Sequence, residues 1–181
     1  MAKLCSQTVI LCEDVQQEVF IRQFLMKKKG YVQRQLRIKV CPAGKQAGEQ
    51  FVRDRYPAEL KALRQRTARA ETSLLVMIDA DKRSADATSK WLDAICTEQG
   101  VATREQNDKA AVLIPRRNIE TWIHFLDGEP VDEETEYKKL RWESDCKPGV
   151  KRLFEICSKG ECPADFPDSL KAACGEYQRV K

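Results

Sequence analysis

Leu74–Ser84 reads LLVMIDADKRS, and its first half decides the fold. Leu74 to Ile78 are apolar at every position, a run too short for a core helix and lacking the alternation of a half-exposed strand. It reads as a strand covered on both faces, the kind found in the middle of a mainly parallel sheet with helices on either side. Directly after it come Asp79 and Asp81, two carboxylates one residue apart whose charges repel.

Working outward, the pattern repeats. TVILC, Thr8–Cys12, is short, apolar and β-branched, and the following segment carries Val15, Val19, Phe20 and Phe24 at helical spacing, with Gly30 as its stop. LRIKVC, Leu36–Cys41, alternates apolar and basic residues as an edge or half-buried strand does. After Pro42 and Gly44 a helical pattern runs to Arg55, Tyr56-Pro57 breaks it, and a second helix continues through Leu60 and Leu63. Ser84–Glu98 reads as a helix ended by Gly100, with Ala87, Trp91, Leu92 and Ile95 on one side. Ala111–Ile114 is another buried strand, and beyond Pro115, Asn118 is placed to cap a helix striped by Ile119, Trp122, Ile123 and Leu126. Past Gly128 the pattern weakens into polar loops and short helices. The expected architecture is α/β: a mainly parallel central sheet flanked by helices over residues 1–128, with a small helical and loop extension over residues 129–181 packed on it.

The 181 residues fit one domain with a small appendage, and 42% hydrophobic with 33% charged residues excludes a disordered chain. No run approaches the ~18 apolar residues of a membrane span, and MAKLCSQTVILCED turns acidic too soon for a secretory signal, so the expectation is no membrane and a cytoplasmic location. In that setting the eight cysteines are expected as free thiols rather than disulfides. Cys146, Cys157, Cys162 and Cys174 crowd the C-terminal part without a C-x-x-C knuckle, which makes zinc the lesser reading. A net charge of +4 is compatible with a polyanionic partner and does not demand one. A basic stretch (Arg53, Arg55, Lys61, Arg64, Arg66, Arg69) and a later acidic patch (Asp132, Glu133, Glu134, Glu136) divide the charge unevenly.

Ligand sites in open α/β sheets lie outside the carboxyl ends of the strands. Here Glu13 and Asp14 follow the first strand, Asp79 and Asp81 the central one, and Glu120 opens the helix after the last. In an extended chain residues i and i+2 point the same way, with Cα atoms roughly 6–7 Å apart, so Asp79 and Asp81 can share a cation. Two carboxylates at ~5 Å repel by about 3 kcal/mol at an effective dielectric near 20, some two pKa units unless something compensates. For an all-oxygen cluster the fitting charge is Mg²⁺ or Mn²⁺, and a single histidine, His124, argues against an imidazole-based centre. The structural alternative is that these acids cap helices and pair with Lys82 and Arg83. CPAGKQAGE, Cys41–Glu49, has glycines and a lysine before a helix but not the phosphate-loop spacing, so no ATP site is expected there.

An acid after strand one (LCEDVQQEVFIRQFL) and a D-x-D after a central strand (LLVMIDADKRS) resemble the Toprim domain, a Rossmann-like fold. That domain is shared by type IA and type II topoisomerases, bacterial primases, recombination proteins and the OLD (overcoming lysogenization defect) nucleases. RRNIETWIHFL resembles the helix start of OLD-like and stand-alone members. On this resemblance, spanning about Thr8 to Leu126, Glu13 matches the family glutamate, Asp79 and Asp81 its D-x-D, and Glu120 an added metal-site acid; Asp14 stands where many members have glycine. The resemblance implies a Mg²⁺- or Mn²⁺-dependent nuclease hydrolysing nucleic acid, DNA foremost. Glu13, Asp79, Asp81 and Glu120 hold metal, Asp14 assists, Lys82 serves catalysis, and Lys82, Arg83, Arg116 and Arg117 meet phosphates. It also implies a separately encoded ATPase partner in a phage or plasmid defence system. Oligomeric state stays open, a homo-oligomer included. Two other readings compete: a Toprim-like scaffold that binds nucleic acid or a partner without catalysis, and a receiver domain with Asp79 as phospho-acceptor. The receiver is disfavoured by the long separation of Glu13 from Asp79 and by the second aspartate.

Overall fold

Four short strands form one sheet: β1 (Gln7–Cys12), β2 (Leu36–Val40), β3 (Thr72–Met77) and β4 (Ala110–Leu113), all parallel in the order β2-β1-β3-β4. The computed structural model describes residues 7–28, 31–160 and 162–181. Six helices accompany the sheet: α1 (Val15–Leu25), α2 (Gly48–Thr67), α3 (Ala85–Glu98), α4 (Ile119–Leu126), α5 (Lys147–Lys159) and α6 (Asp168–Tyr177). The fold is the expected α/β, with an all-parallel sheet between helical layers. Among the described residues no helix is long and apolar enough to cross a membrane.

The period of two in the strands sorts the core onto two faces. Ile10, Cys12, Leu75, Met77, Ala111 and Leu113 meet α1, α4, α5 and α6. Val9, Leu11, Leu74, Val76, Ala110 and Val112 meet α2 and α3. Right-handed crossovers explain the division: the chain steps one way from β1 to β2 and the other way from β2 to β3, so α1 and α2 land on opposite faces. β3 is buried along its whole length, as its unbroken apolar run required. β2 is the half-exposed edge, and Lys39 on it pairs with the buried Glu59 of α2.

Four expectations need correction or qualification. Tyr56-Pro57 does not break a helix: α2 runs unbroken through Pro57. A mid-helix proline costs about 3 kcal/mol, and burying Tyr56, Leu60 and Leu63, at roughly 1.5–3 kcal/mol per large apolar side chain, outweighs it. Asn118 sits at the N-cap of α4 but its side chain caps no backbone N–H; its Nδ2 donates to the Tyr137 carbonyl at 3.0 Å. α1 ends at Leu25, and Gly30 lies outside the described residues. Not all cysteines are free: Cys157 of α5 and Cys174 of α6 form a disulfide with Cα atoms 5.9 Å apart, both helices lying on the same face of the sheet. Cys12, Cys41, Cys96, Cys146 and Cys162 are free thiols, and Cys5 lies outside the described residues.

The C-terminal helices complete the core rather than decorate it. Trp122 of α4 is buried and donates its indole N–H to Ser169 Oγ at 2.8 Å, tying α4 to α6. Phe24 of α1 meets Tyr177 of α6 edge to face at 4.9 Å between ring centroids. The outer edge of β4 is closed by side chains: Glu176 accepts the Val112 N–H at 2.9 Å, while Arg104 and Arg179 each donate to the Ala110 carbonyl at 3.0 Å. An edge satisfied in this way offers no ladder to another strand. Between α4 and α5 the chain runs through residues 129–142 without helix or strand.

Candidate functional site

The order β2-β1-β3-β4 reverses direction between β1 and β3, and that reversal opens a crevice at the carboxyl ends of those two strands. Register sets what stands there. Cys12 pairs with Met77, so Glu13 and Asp79 emerge side by side just beyond the ladder. Glu13 Oε1 accepts the Asp79 N–H at 2.9 Å, and the Glu13 N–H donates to Gln17 Oε1 at 2.9 Å. The N-terminus of α2 presses on the same residue from the other side. A Cβ on Gly48 would lie 2.7 Å from Glu13 Cβ and 2.8 Å from its carbonyl oxygen, so only glycine fits there without displacement.

Asp79 is 8% exposed, and its Oδ1 is buried without a hydrogen-bond partner among the described residues. Asp81 is exposed and adopts φ 52°, the left-handed region that a non-glycine residue occupies at a strain of roughly 1 kcal/mol or more. The Ala80 N–H donates to the Pro115 carbonyl at 2.8 Å, tying the loop to the segment after β4, and the Arg83 N–H closes a turn on the Ala80 carbonyl at 2.8 Å. Glu120, in the first turn of α4, is 2% exposed with Oε1 buried and unpaired among the described residues. Asp14 is the N-cap of α1. Its Oδ1 accepts the Gln17 N–H at 2.9 Å and its Oδ2 lies 3.6 Å from Lys139 Nζ. The capping alternative therefore holds for Asp14, but not for Asp79 or Asp81, since Ser84 caps α3.

Burial first, and neighbouring negative charge second, raise the pKa of Glu13, Asp79, Asp81 and Glu120. Burial is the main cause at Glu13, whose carboxyl is pushed up to about 8; the Asp79 N–H pulls it down, and the charges of Asp81, Asp14 and Glu49 push it up. Asp79 is raised well above the usual range by burial, then by Glu13, Asp14, Glu120 and Asp81. Glu120 is raised by burial and by Asp14, against Lys139 and His124. Asp81 is raised by burial and by Glu49, against Arg83 and Arg117. All five acids singled out in the sequence thus share one field at one sheet edge. Two neighbours were missed. Glu49 belongs to the cluster because α2 starts over the end of β1, and Gln17 supplies a fully buried amide whose Nε2 has no partner.

The basic residues border the cluster, each in its own way. Lys82 is exposed at the loop. Arg83 pairs with Glu49 at 2.7 Å and lies over the Trp91 ring, 4.5 Å from its centroid. Arg116 Nη1 donates to the Arg83 carbonyl at 2.8 Å, and Arg117 Nη1 to the Asp81 carbonyl at 3.2 Å. The basic stretch of α2 does not join them as a unit: Arg64 reaches the far side and pairs with Asp108 at 2.7 Å.

The donor set is hard oxygen. His124 Nδ1 lies 2.6 Å from Glu129 Oε2, turned to that carboxylate. Among the described residues no three His, Cys, Asp or Glu side chains stand as a ready metal cage, although the unpaired oxygens of Asp79 and Glu120 are suited to a cation. No known protein family, curated protein or solved structure matches this chain.

Proposed function

We propose that the chain is a Toprim-like, divalent-metal-dependent nuclease that hydrolyses phosphodiester bonds of nucleic acid, DNA foremost. One observation supports this above all. Glu13 touches the backbone of Asp79 at the sheet's crevice, beside buried carboxylate oxygens that no donor satisfies. A buried carboxylate oxygen without a donor calls for a proton, a water or a cation to meet it, and the crowding of acids at this edge favours a cation.

Glu13, Asp79 and Asp81 are the ligands for Mg²⁺ or Mn²⁺ in this reading, with Glu120 behind them and Asp14 holding the start of α1. These ions need few direct carboxylates, because they keep several waters, so an edge of spaced acids suits them better than a closed cage. Bound there, such an ion supplies Lewis-acid activation of a phosphate and of water. The chain's own part is otherwise electrostatic. Without a cation, burial pushes the Glu13 carboxyl up to about 8 and raises Asp79 in the same direction, so a cation that binds between them displaces protons. Lys82 stands free to meet a phosphate, and Arg116 and Arg117 are fixed at the loop by its own carbonyls.

The strand order and acids also suit a receiver domain with Asp79 as phospho-acceptor, but that reading leaves Asp81 without a role. The test is cleavage of plasmid and single-stranded DNA by pure protein with Mn²⁺, alongside Mn²⁺ calorimetry. Wild type should cut and bind. Asp79→Ala should lose at least about a hundredfold in rate, the scale of a removed catalytic electrostatic group. Binding without cleavage, including with a candidate ATPase added, would make the chain a scaffold. Labelling of Asp79 by acetyl phosphate would make it a receiver.

A further inference from the structure

Residues 129–142 cross the carboxyl edge of the sheet. At one end Glu134 Oε1 lies 3.1 Å from Arg116 Nη2 and Glu136 Oε2 lies 3.7 Å from Arg117 Nη2. In the middle Tyr137 packs against His124, ring centroids 5.2 Å apart, and its carbonyl accepts from Asn118. Further on, Lys139 reaches Asp14 at 3.6 Å. We infer that this strap is a built-in competitor for the nucleic-acid backbone: Glu134 and Glu136 occupy Arg116 and Arg117 where two phosphates of a bound strand would lie, and substrate must displace them. The inference rests on the nuclease reading above and adds its regulation.

Three features carry it. First, the guanidinium groups are placed by the loop rather than by the strap: Arg116 and Arg117 donate to the carbonyls of Arg83 and Asp81, on the segment that bears the aspartate pair. Removing the glutamates leaves both arginines aimed at the same edge. Second, the side chains of Glu134 and Glu136 are 78% and 76% exposed, against 28% and 21% for their arginines, so the carboxylates approach from solvent as a ligand does. Third, the strap has no helix or strand of its own, and Glu133, which accepts the Ser169 N–H at 3.0 Å, anchors it beside the two glutamates rather than through them. The strap's ion pairs are exposed and screened by salt, whereas a polyanion gains released counterions when it takes the same arginines.

The test is fluorescence anisotropy of a short labelled single-stranded oligodeoxynucleotide, in EDTA and again with Ca²⁺, with hydrogen exchange of residues 129–142 read in parallel. Glu134→Gln/Glu136→Gln should bind between about threefold and 25-fold tighter than wild type at low ionic strength, since each exposed pair is worth up to about fivefold. The gap should close as salt rises. Glu98→Gln/Glu155→Gln makes the same charge change on α3 and α5 and should give a smaller gain. In an Arg116→Gln/Arg117→Gln background the strap substitutions should have no effect, and in wild type the oligonucleotide should speed exchange in the strap. A gain no larger than the control's, or one that survives loss of the arginines, overturns the competitor while leaving nucleic-acid binding intact. No binding by any variant in either buffer removes the nuclease reading and the strap's role together.

Discussion

The acids at the crevice dictate how stability depends on pH without metal, and the sign is opposite to the usual one for carboxylates. Glu13 titrates near 4.5 when unfolded and near 8 when folded. Between those values the folded protein holds a proton that the unfolded chain has released, so stability falls as pH rises, by about 1.4 kcal/mol per pH unit for each such proton. Across the window Glu13 alone accounts for at most about 5 kcal/mol, and Asp79, raised for the same reason, acts in the same direction. Domains have only roughly 5–15 kcal/mol in all, so the loss is large. Asp108 is lowered by its Arg64 hydrogen bond against burial, and Asp132 chiefly by its Thr135 hydrogen bond; their opposite contributions change only below about pH 4. The measurement is urea unfolding in EDTA at intervals from pH 5 to 9, followed by circular dichroism and by fluorescence of the buried Trp122. Glu13→Gln keeps an oxygen for the Asp79 N–H and removes the titration. Its profile should be flatter by about 1.4 kcal/mol per unit between pH 5 and 8, and the variant should be the more stable protein at pH 8. Mg²⁺ should restore wild type at pH 8 and release protons as it binds. A wild-type profile that is flat or rising over that range, or one that Glu13→Gln leaves unchanged, would refute the reasoning.

Two further outcomes follow from the backbone around the same acids. Alanine is the better helix former by about 1 kcal/mol, yet Gly48→Ala should lower the urea-unfolding free energy by about 1–3 kcal/mol, the range for overpacking, because its Cβ would collide with Glu13. The same variant should weaken Mn²⁺ binding in calorimetry, and a stabilised protein would show that α2 does not press on Glu13. Asp81→Gly relieves the left-handed strain at φ 52° and should stabilise the metal-free protein by up to about 1 kcal/mol. Its Mn²⁺ affinity should fall at least about tenfold as a carboxylate is lost; a variant that is less stable, or that binds Mn²⁺ unchanged, contradicts the assignment of Asp81.

Most of the fold was legible because its signals are local. The unbroken apolar run ending at Ile78 has only one stable setting, a strand covered on both faces, and the β-branched TVILC gives a second. Helix boundaries fell within a residue or two where a cap was present, as at Ser84. Pro57 misled because a local rule was applied where tertiary burial of Tyr56 and Leu60 decides the outcome. The Cys157–Cys174 bridge was not legible: no spacing in the chain reveals that Cys157 and Cys174 meet on one face of the sheet. Nor was the closure of β4 by Glu176, which joins residues 64 positions apart.

The site divides along the same line. Glu13, Asp79 and Asp81 could be singled out because strand ends are readable and parallel strands bring their carboxyl ends to one edge whatever their order. Their contact needed one more fact, that β1 and β3 are neighbours with Cys12 opposite Met77. Glu49 and Gln17 needed still more. Glu49 lies in a glycine-containing segment whose only local suggestion was a nucleotide loop, and it joins the acids because α2 must start above β1 to cross back toward β3. In the sequence the acidic patch from Asp132 to Glu136 and the pair Arg116 and Arg117 stand in separate segments, with the arginines assigned to phosphates. Folding set the two against each other, which neither segment records alone. A sequence states which charges a chain carries, but whether an arginine is free or already answered depends on what the fold lays across it.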